Sequence, residues 1–457
     1  MRTTWWTFAI ALGAVLAASP ARGAMTAEQR IRMLEEELRK TQQELQELKA
    51  MVKQQQAVGQ ATQKQVEETR ASVAEATQKA KASLPDWLAR TTLFGDVRFR
   101  HEGFYHQPAA RGAKVTARNR ERIRARLGLR FAYSDEIAAT FRLASGNPDD
   151  PISPNETLTG DFTRKHVNLD WAYLTFTPGK SFGLRPGVAS INLGKFPNPV
   201  FRVGEMVWDD DLSPEGAFET FALLGNPIGA LDQVRLHALQ WTFNEVSNGE
   251  DGWMFGGQVN PAMHFGNVLV EAGVGQYWYL NPDQIAMQLN TNTALANTNQ
   301  LVTTSTTSGG KTTTRITGYA SGFNESNATV AATIPSVVLG QPLRLFADYV
   351  YNWDAFDDDA SGWQAGARLG QTKVKNDWSV YGFYEQIARE AALSAFTYSD
   401  FGLGGTNQEG PVVGVDYQLL NPLTLSVRSH FTNFIDRPVN TRNPTLTRLQ
   451  LDAAVKF

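Results

Sequence analysis

From Arg122 to Tyr133 the chain changes character at every residue. Ile123, Ala125, Leu127, Leu129, Phe131 and Tyr133 are apolar or aromatic, and between them stand Arg122, Arg124, Arg126, Gly128, Arg130 and Ala132. Side chains repeat with a period of two only along extended backbone, so this stretch is a strand with one apolar and one charged face. The same alternation runs through Val413–Leu419 and Leu423–Phe431. It closes the chain, where Leu449, Leu451, Ala453, Val455 and Phe457 alternate with Arg448, Gln450, Asp452, Ala454 and Lys456. A soluble sandwich or propeller would bury such an apolar face against a second sheet or a repeated blade. The segment 87–457 shows no repeat unit, and its strands of roughly 10 residues often end on Tyr, Trp or Phe. The pattern predicts an all-β transmembrane β-barrel, apolar face to lipid and charged face to an aqueous lumen.

Connection lengths sharpen the expectation. Short turns fall at 133–136, 177–187, 225–231, 261–266, 340–342, 372–377 and 420–422. Long polar segments fall at 106–117, 145–165, 197–215, 244–251, 281–314, 354–361, 388–408 and 435–445. Seven turns and eight loops predict about 16 antiparallel strands, with both ends on the short-turn side. The stretch 290–314, rich in Asn, Thr and Ser, reads as a mobile outer loop.

Two segments precede the barrel. Arg2 followed by the uncharged run Trp5–Ala18 and then small residues to Ala24 matches an export signal over 1–24, too short for a membrane span. Over 25–86 a heptad holds in register, with Ile31, Leu38, Leu45 and Val52 at one core position and Leu34, Leu48 and Ala76 among the other. That pattern predicts an α-helical coiled coil, which buries its seam only against further copies of the chain. The helix is electrically neutral, with 10 basic and 10 acidic residues.

Charge is distributed unevenly. The whole chain has a net charge of −3, which argues against a nucleic-acid partner. From Trp87 to Ser145, however, 12 basic residues face 5 acidic ones. Arg98 and Arg100 share a face of the first strand. Arg122, Arg124, Arg126 and Arg130 share a face of the second, and Arg142 follows on the third. Closure would bring Arg428 and Arg448 of the last strands to the same wall. Arginine stays charged at any working pH, and a file of such groups offers an anion successive weak sites. The third long loop carries Glu205, Trp208, Asp209, Asp210, Asp211 and Glu215. Folded into the lumen opposite the arginines it would set a constriction and a transverse field; as a plain surface excursion, or as an acidic calcium loop, it would do neither. The chain has no Cys and only 6 His, and no nucleophile elbow or cofactor motif, so no enzyme or cofactor is expected.

The runs LFGDVRFRHEGFY, NRERIRARLGLRF, FRLASGNPDDPISPNETL, LDWAYLTFTP, LGKFPNPVF and VWDDDLSPEGA resemble the putative porin family of Gram-negative bacteria, densely from Leu93 to about Ala217 and more thinly beyond. The layout of signal, coiled coil and barrel is also similar to phosphate-selective porins, without their motifs. The resemblance implies an outer-membrane channel for small hydrophilic solutes or anions, set in outer-membrane lipid and assembled as a homotrimer. It also implies that Phe457 is the terminal signal taken by the barrel-assembly machinery. Two other readings use the same layout: a tether that reaches the cell wall through the coiled coil, and a barrel that sheathes a partner protein.

Overall fold

The computed structural model describes residues 85–457 except 112, 114 and 115, together with scattered helical positions between Glu28 and Ser72. The expected export signal, 1–24, lies outside the described residues, as does most of the expected coiled coil. No seam between helices is present among the described residues. Leu38 and Leu45, two of its core positions, are exposed in the single chain. Residues up to Pro85 and those from Asp86 onward form separate units, and the second is the barrel.

The barrel has 16 long strands: β1 Thr91–Tyr105, β2 Arg118–Ala132, β3 Ile137–Ser145, β4 Val167–Phe176, β5 Ala189–Lys195, β6 Glu215–Ala222, β7 Leu231–Asn244 and β8 Gly252–Phe265. They continue as β9 Val268–Leu280, β10 Asn324–Val338, β11 Gln341–Asn352, β12 Ser361–Gly370, β13 Trp378–Ile387, β14 Gln408–Leu420, β15 Leu423–Phe434 and β16 Leu446–Lys456. Each pairs antiparallel with the next, and β16 pairs with β1, so the sheet has no edge. Phe457 adds the last rung: its N–H donates to the Gly95 carbonyl at 3.1 Å and its carbonyl accepts from the Gly95 N–H at 3.0 Å.

The outward parity is apolar. Leu127, Leu129, Val413, Val415, Val427 and Leu451 are all exposed. The interleaved residues point inward, where Asp96, Arg100, Glu102, Arg122, Arg124 and Arg448 are buried. Among the described residues no helix is long and apolar enough to cross a membrane.

Two local outcomes differ from expectation. A turn was expected from Pro261 to Gly266, but β8 runs through Pro261 to Phe265. Proline has no N–H for the ladder, and the β8–β9 pairing skips Asn260 and Pro261. The Asn260 side-chain amide donates to the Ala272 carbonyl at 2.6 Å and fills the gap. The fifth outer loop is not structureless either. It holds a helix, α1 Asp283–Gln288, and an outer hairpin, Leu301–Ser308 with Lys311–Tyr319, turning on Gly309 and Gly310 at positive φ.

Two loops fold inward. Loop 3 (196–214) joins β5 to β6, and loop 7 (388–407) joins β13 to β14. Gly194 and Gly216 flank loop 3, pair with each other across β5 and β6, and adopt φ of 128° and 124°. A Cβ at either would lie 2.2–2.3 Å from a neighbouring carbonyl oxygen, so only glycine allows the chain to leave the sheet here.

Candidate functional site: a bridged arginine wall and a packed lumen

Registry places the arginines of β1 and β2 opposite one another, Arg98 facing Arg124 and Arg100 facing Arg122. Like charges directly opposite are unfavourable. The same inward parity supplies the remedy, because Asp96 faces Arg126, Glu102 faces Arg120, and Asp452 of β16 faces Arg100. Arg100 holds Asp452 bidentately, with both bonds at 2.7 Å, and reaches Asp400 of loop 7 at 2.6 Å. Arg124 and Arg126 share Asp96, at 2.9 and 2.6 Å, and also share Asp211 of loop 3, at 3.4 and 2.7 Å. Arg142 donates to Asp170 at 2.5 Å while its guanidinium lies 3.2 Å from the Trp171 ring centre. Arg448 binds Glu102 and Asp400, and donates to the carbonyls of Ser399 and Gly402. Arg428 binds Glu205 of loop 3. Arg98 donates to Asn155 at 2.6 Å, and Arg122 to Ser153 and the Asn155 carbonyl at 3.2 Å. Only Arg130 stands apart, exposed near the short-turn end opposite Thr92 and Thr140.

The acidic loop therefore does not face the arginines across an open gap, as an uninterrupted transverse field would require. It touches them. Its carboxylates also serve different ends. Asp211 and Glu205 meet arginines. Asp209 is 2% exposed and accepts the N–H groups of Ser399 and Asp211, at 2.7 and 2.8 Å, joining loop 3 to loop 7. Asp210 pairs with Arg202, and Glu215, already in β6, pairs with Lys195 at 2.8 Å. The seven carboxylates Asp96, Glu102, Asp170, Glu205, Asp211, Asp400 and Asp452 bridge most of the arginine wall, so its charge toward the lumen is far smaller than the sequence excess suggests. Paired and hydrogen-bonded, these buried ions are tolerated; removing one is costly where it leaves a partner with no second counter-ion.

Trp208 belongs to a different environment from its acidic neighbours. It is 3% exposed and packs edge-on against Tyr277 at 5.1 Å and Trp241 at 5.4 Å. Phe196, Met206, Leu212, Phe323, Leu393 and Phe401 extend this cluster. Part of the lumen is thus a hydrophobic core made by loops 3 and 7 against β6–β9 and β13. Loop 7 is pinned by polar contacts as well. Glu325 accepts the Leu393 N–H at 2.9 Å, and Asn299 ties the Arg389 and Ala392 carbonyls to the Ser394 N–H.

Three of the spaces left among the described residues bear on function. A cavity of about 320 Å³ is lined by Arg118, Arg120, Arg122 and Arg448, with Asp150 its one carboxylate and Phe104, Ile152 and Leu295 its apolar side. A second, of about 350 Å³, lies among Trp208, Trp241, Phe243, Tyr279, Phe396 and Leu295. A third, of about 110 Å³, sits under loop 2 (146–166) and shares Asp150 with the first and Pro148 with the second. Burial pushes the Asp150 carboxyl up to about 6.

The interior of a closed 16-strand barrel, lined by arginines and narrowed by infolded loops, has a counterpart among sequence families. A profile described as "Putative porin" matches residues 108–315 and 281–457. The chain belongs to the putative porin family. No curated protein matches it in sequence. Solved structures similar to this porin include Pseudomonas putida OprB at high pH, with 12% identity over 80% of this chain and 94% of that chain and a TM-score of 0.48. Salmonella typhi OmpF in complex with daunomycin has 12% identity over 80% and 97%, TM-score 0.46. Vibrio cholerae OmpT, folded in vitro, has 10% identity over 80% and 97%, TM-score 0.42. At these identities the likeness concerns the fold alone. As a porin-family barrel the protein is an outer-membrane channel in the general sense, and its exposed strand face meets lipid.

The sequence missed the acidic partners on the strands, Asp96, Glu102 and Asp452, although they share the arginines' parity. It also missed loop 7. Ala388, Ala391, Ala392, Leu393, Ala395 and Phe396 make that segment too apolar for a surface excursion, and this was the available signal.

Proposed function

We propose that this porin passes small hydrophilic solutes by diffusion and prefers anions, the preference arising at the arginine-lined cavity near the long-loop end. The observation that carries this reading is the cavity's lining of four arginines against one carboxylate. Arg118 contributes most simply: it is exposed and has no hydrogen bond or ion pair among the described residues. Low-dielectric walls focus such charge and raise the local anion concentration. Loop 3, carrying Glu205, Trp208 and Asp209–Asp211, sets the constriction by filling space and bridging the arginines. The remaining inferences stand on the family layout: a homotrimer, a coiled coil on the periplasmic side and recognition of Phe457 by the barrel-assembly machinery.

Arg124 and Arg126 share Asp96 and Asp211, so a change at either disturbs the whole cluster, and Arg118→Gln is the cleaner test. In planar bilayers under a salt gradient, this variant is expected to lower the anion-to-cation permeability ratio about twofold, the effect of one screened surface charge. An unchanged reversal potential rejects the assignment. Asp150 supplies a second test. Its raised pKa leaves it charged at pH 7.5 and neutral at pH 5, so anion preference is expected to rise as pH falls through about 6. In Asp150→Asn that pH dependence should vanish, with the variant fixed at the more anion-selective value.

The packed part of the lumen favours a second reading, a closed barrel serving as a tether. That reading requires no conductance from purified protein; discrete current steps exclude it.

A further inference from the structure

The arginine cavity and the aromatic cavity are neighbours: Leu295 of loop 5 (281–323) lines both. Their chemistries are opposite and complementary. At the arginine end, Arg122 is 8% exposed, yet its Nε–H has no partner among the described residues. A buried guanidinium donor left open is expensive unless something accepts from it. At the aromatic end, Trp208, Trp241, Phe243, Tyr279 and Phe396 provide ring faces and edges, and the buried Trp241 indole N–H is also unpartnered. That end disfavours an anionic head. Its one cation, Lys195, is held by Glu215 at 2.8 Å and by the Ser213 carbonyl at 3.0 Å, and Asp149 adds a further negative charge. One end accepts a carboxylate and repels cations; the other accepts an apolar ring and repels carboxylates.

We infer that the two cavities form one binding site for aryl carboxylates, with the carboxylate on Arg122 and its arginine neighbours and the ring beyond Leu295 among Trp208, Trp241 and Phe396. Its use in passage rests on the channel reading above, whereas binding is measured apart from conduction. A carboxylate on the open Arg122 donor forms a charge-assisted hydrogen bond. An aromatic ring taken out of water among aromatic walls adds an apolar contribution that acetate lacks.

Isothermal titration of the purified full-length protein in detergent, with detergent-only blanks, tests this using three probes: 3-phenylpropionate, acetate and 3-phenylpropan-1-ol. The acid with the ring is expected to bind at least about tenfold more tightly than either acetate or the alcohol, because each lacks one half of the interaction. Arg122→Gln is expected to remove that advantage over the alcohol. Leu295→Trp, which fills the junction without adding charge, should weaken 3-phenylpropionate while leaving acetate unchanged. Equal binding of acetate, equal binding of the alcohol, or no saturable heat with the aryl acid overturns the inference, whatever the variants do. Bilayer recordings are kept separate. Tight binding without conductance leaves the site standing and rejects the channel; conductance without binding does the reverse.

Discussion

Replacing Arg448 with methionine is expected to loosen the lumen and raise conductance together. Arg448 is 2% exposed and is the junction between β16 and loop 7. It binds Glu102 on β1 and Asp400 on loop 7, and donates to two loop 7 carbonyls, those of Ser399 and Gly402. Methionine keeps much of the apolar stem but removes every one of these bonds, together with the guanidinium that lies 5.0 Å from the Phe104 ring centre. Glu102 would retain Arg120, and Asp400 would retain Arg100, so neither carboxylate is left wholly unpaired. The cost therefore falls near the lower end for a broken buried pair, about 3 kcal/mol. It is charged to the plug rather than to the strand ladder, whose backbone bonds do not involve this side chain. The expected results are a severalfold rise in single-channel conductance, new protease sensitivity within 388–407 and a barrel that keeps its heat-modifiable mobility on gels. A variant that conducts like the parent, with loop 7 still protected, would show that Glu325, Asn299 and the apolar cluster hold the loop without Arg448.

The barrel was legible because its signal is repeated. Each strand states the same two-residue period, and errors in one are corrected by its neighbours and by the alternation of short and long connections. Where a strand breaks its own pattern, as at Pro261, local reading placed a turn, and only the Asn260 side chain explains why the ladder continues. The outer hairpin around Gly309 and Gly310 was legible in principle, since paired glycines between threonine-rich runs are a hairpin signature. The composition of the loop hid it. The lumen was less readable for a different reason. Parity reports that Arg100 and Arg124 face inward, but not what they meet there. Asp400 is 300 positions from Arg100, and Asp211 is 87 from Arg124. Ladders and loops that read as a charged channel thus turned out to be largely mutually neutralised. What survives as open positive charge is Arg118, together with Arg130 at the other end; Arg122 lies 3.8 Å from Glu102 and keeps only its Nε–H free among the described residues.

Truncating Trp208 to alanine should have the second large effect, and by a different route. Loop 3 has two kinds of anchor. Asp211 is shared between Arg124 and Arg126, and both arginines also hold Asp96. An Asp211→Asn change therefore leaves the arginines paired and costs little. Trp208 has no such substitute. Its ring fills the space between Trp241 and Tyr277, and nothing else on loop 3 can cover both. Deleting a buried ring of this size costs about 3–5 kcal/mol, less whatever water recovers by entering the space. That space already adjoins a cavity of about 350 Å³ lined by the same tryptophans. Removing the ring joins void to void and detaches the middle of the loop. Liposome swelling with sugars of increasing size is expected to show a higher exclusion limit for Trp208→Ala, near-parental behaviour for Trp208→Phe, and little change for Asp211→Asn. Were Asp211→Asn instead to raise the limit while Trp208→Ala left it alone, the constriction would be set by charge and not by packing. The barrel would then behave as its sequence first suggested. The structure argues for the opposite order, because a doubly backed ion pair can lose one member while a single aromatic wedge cannot be replaced.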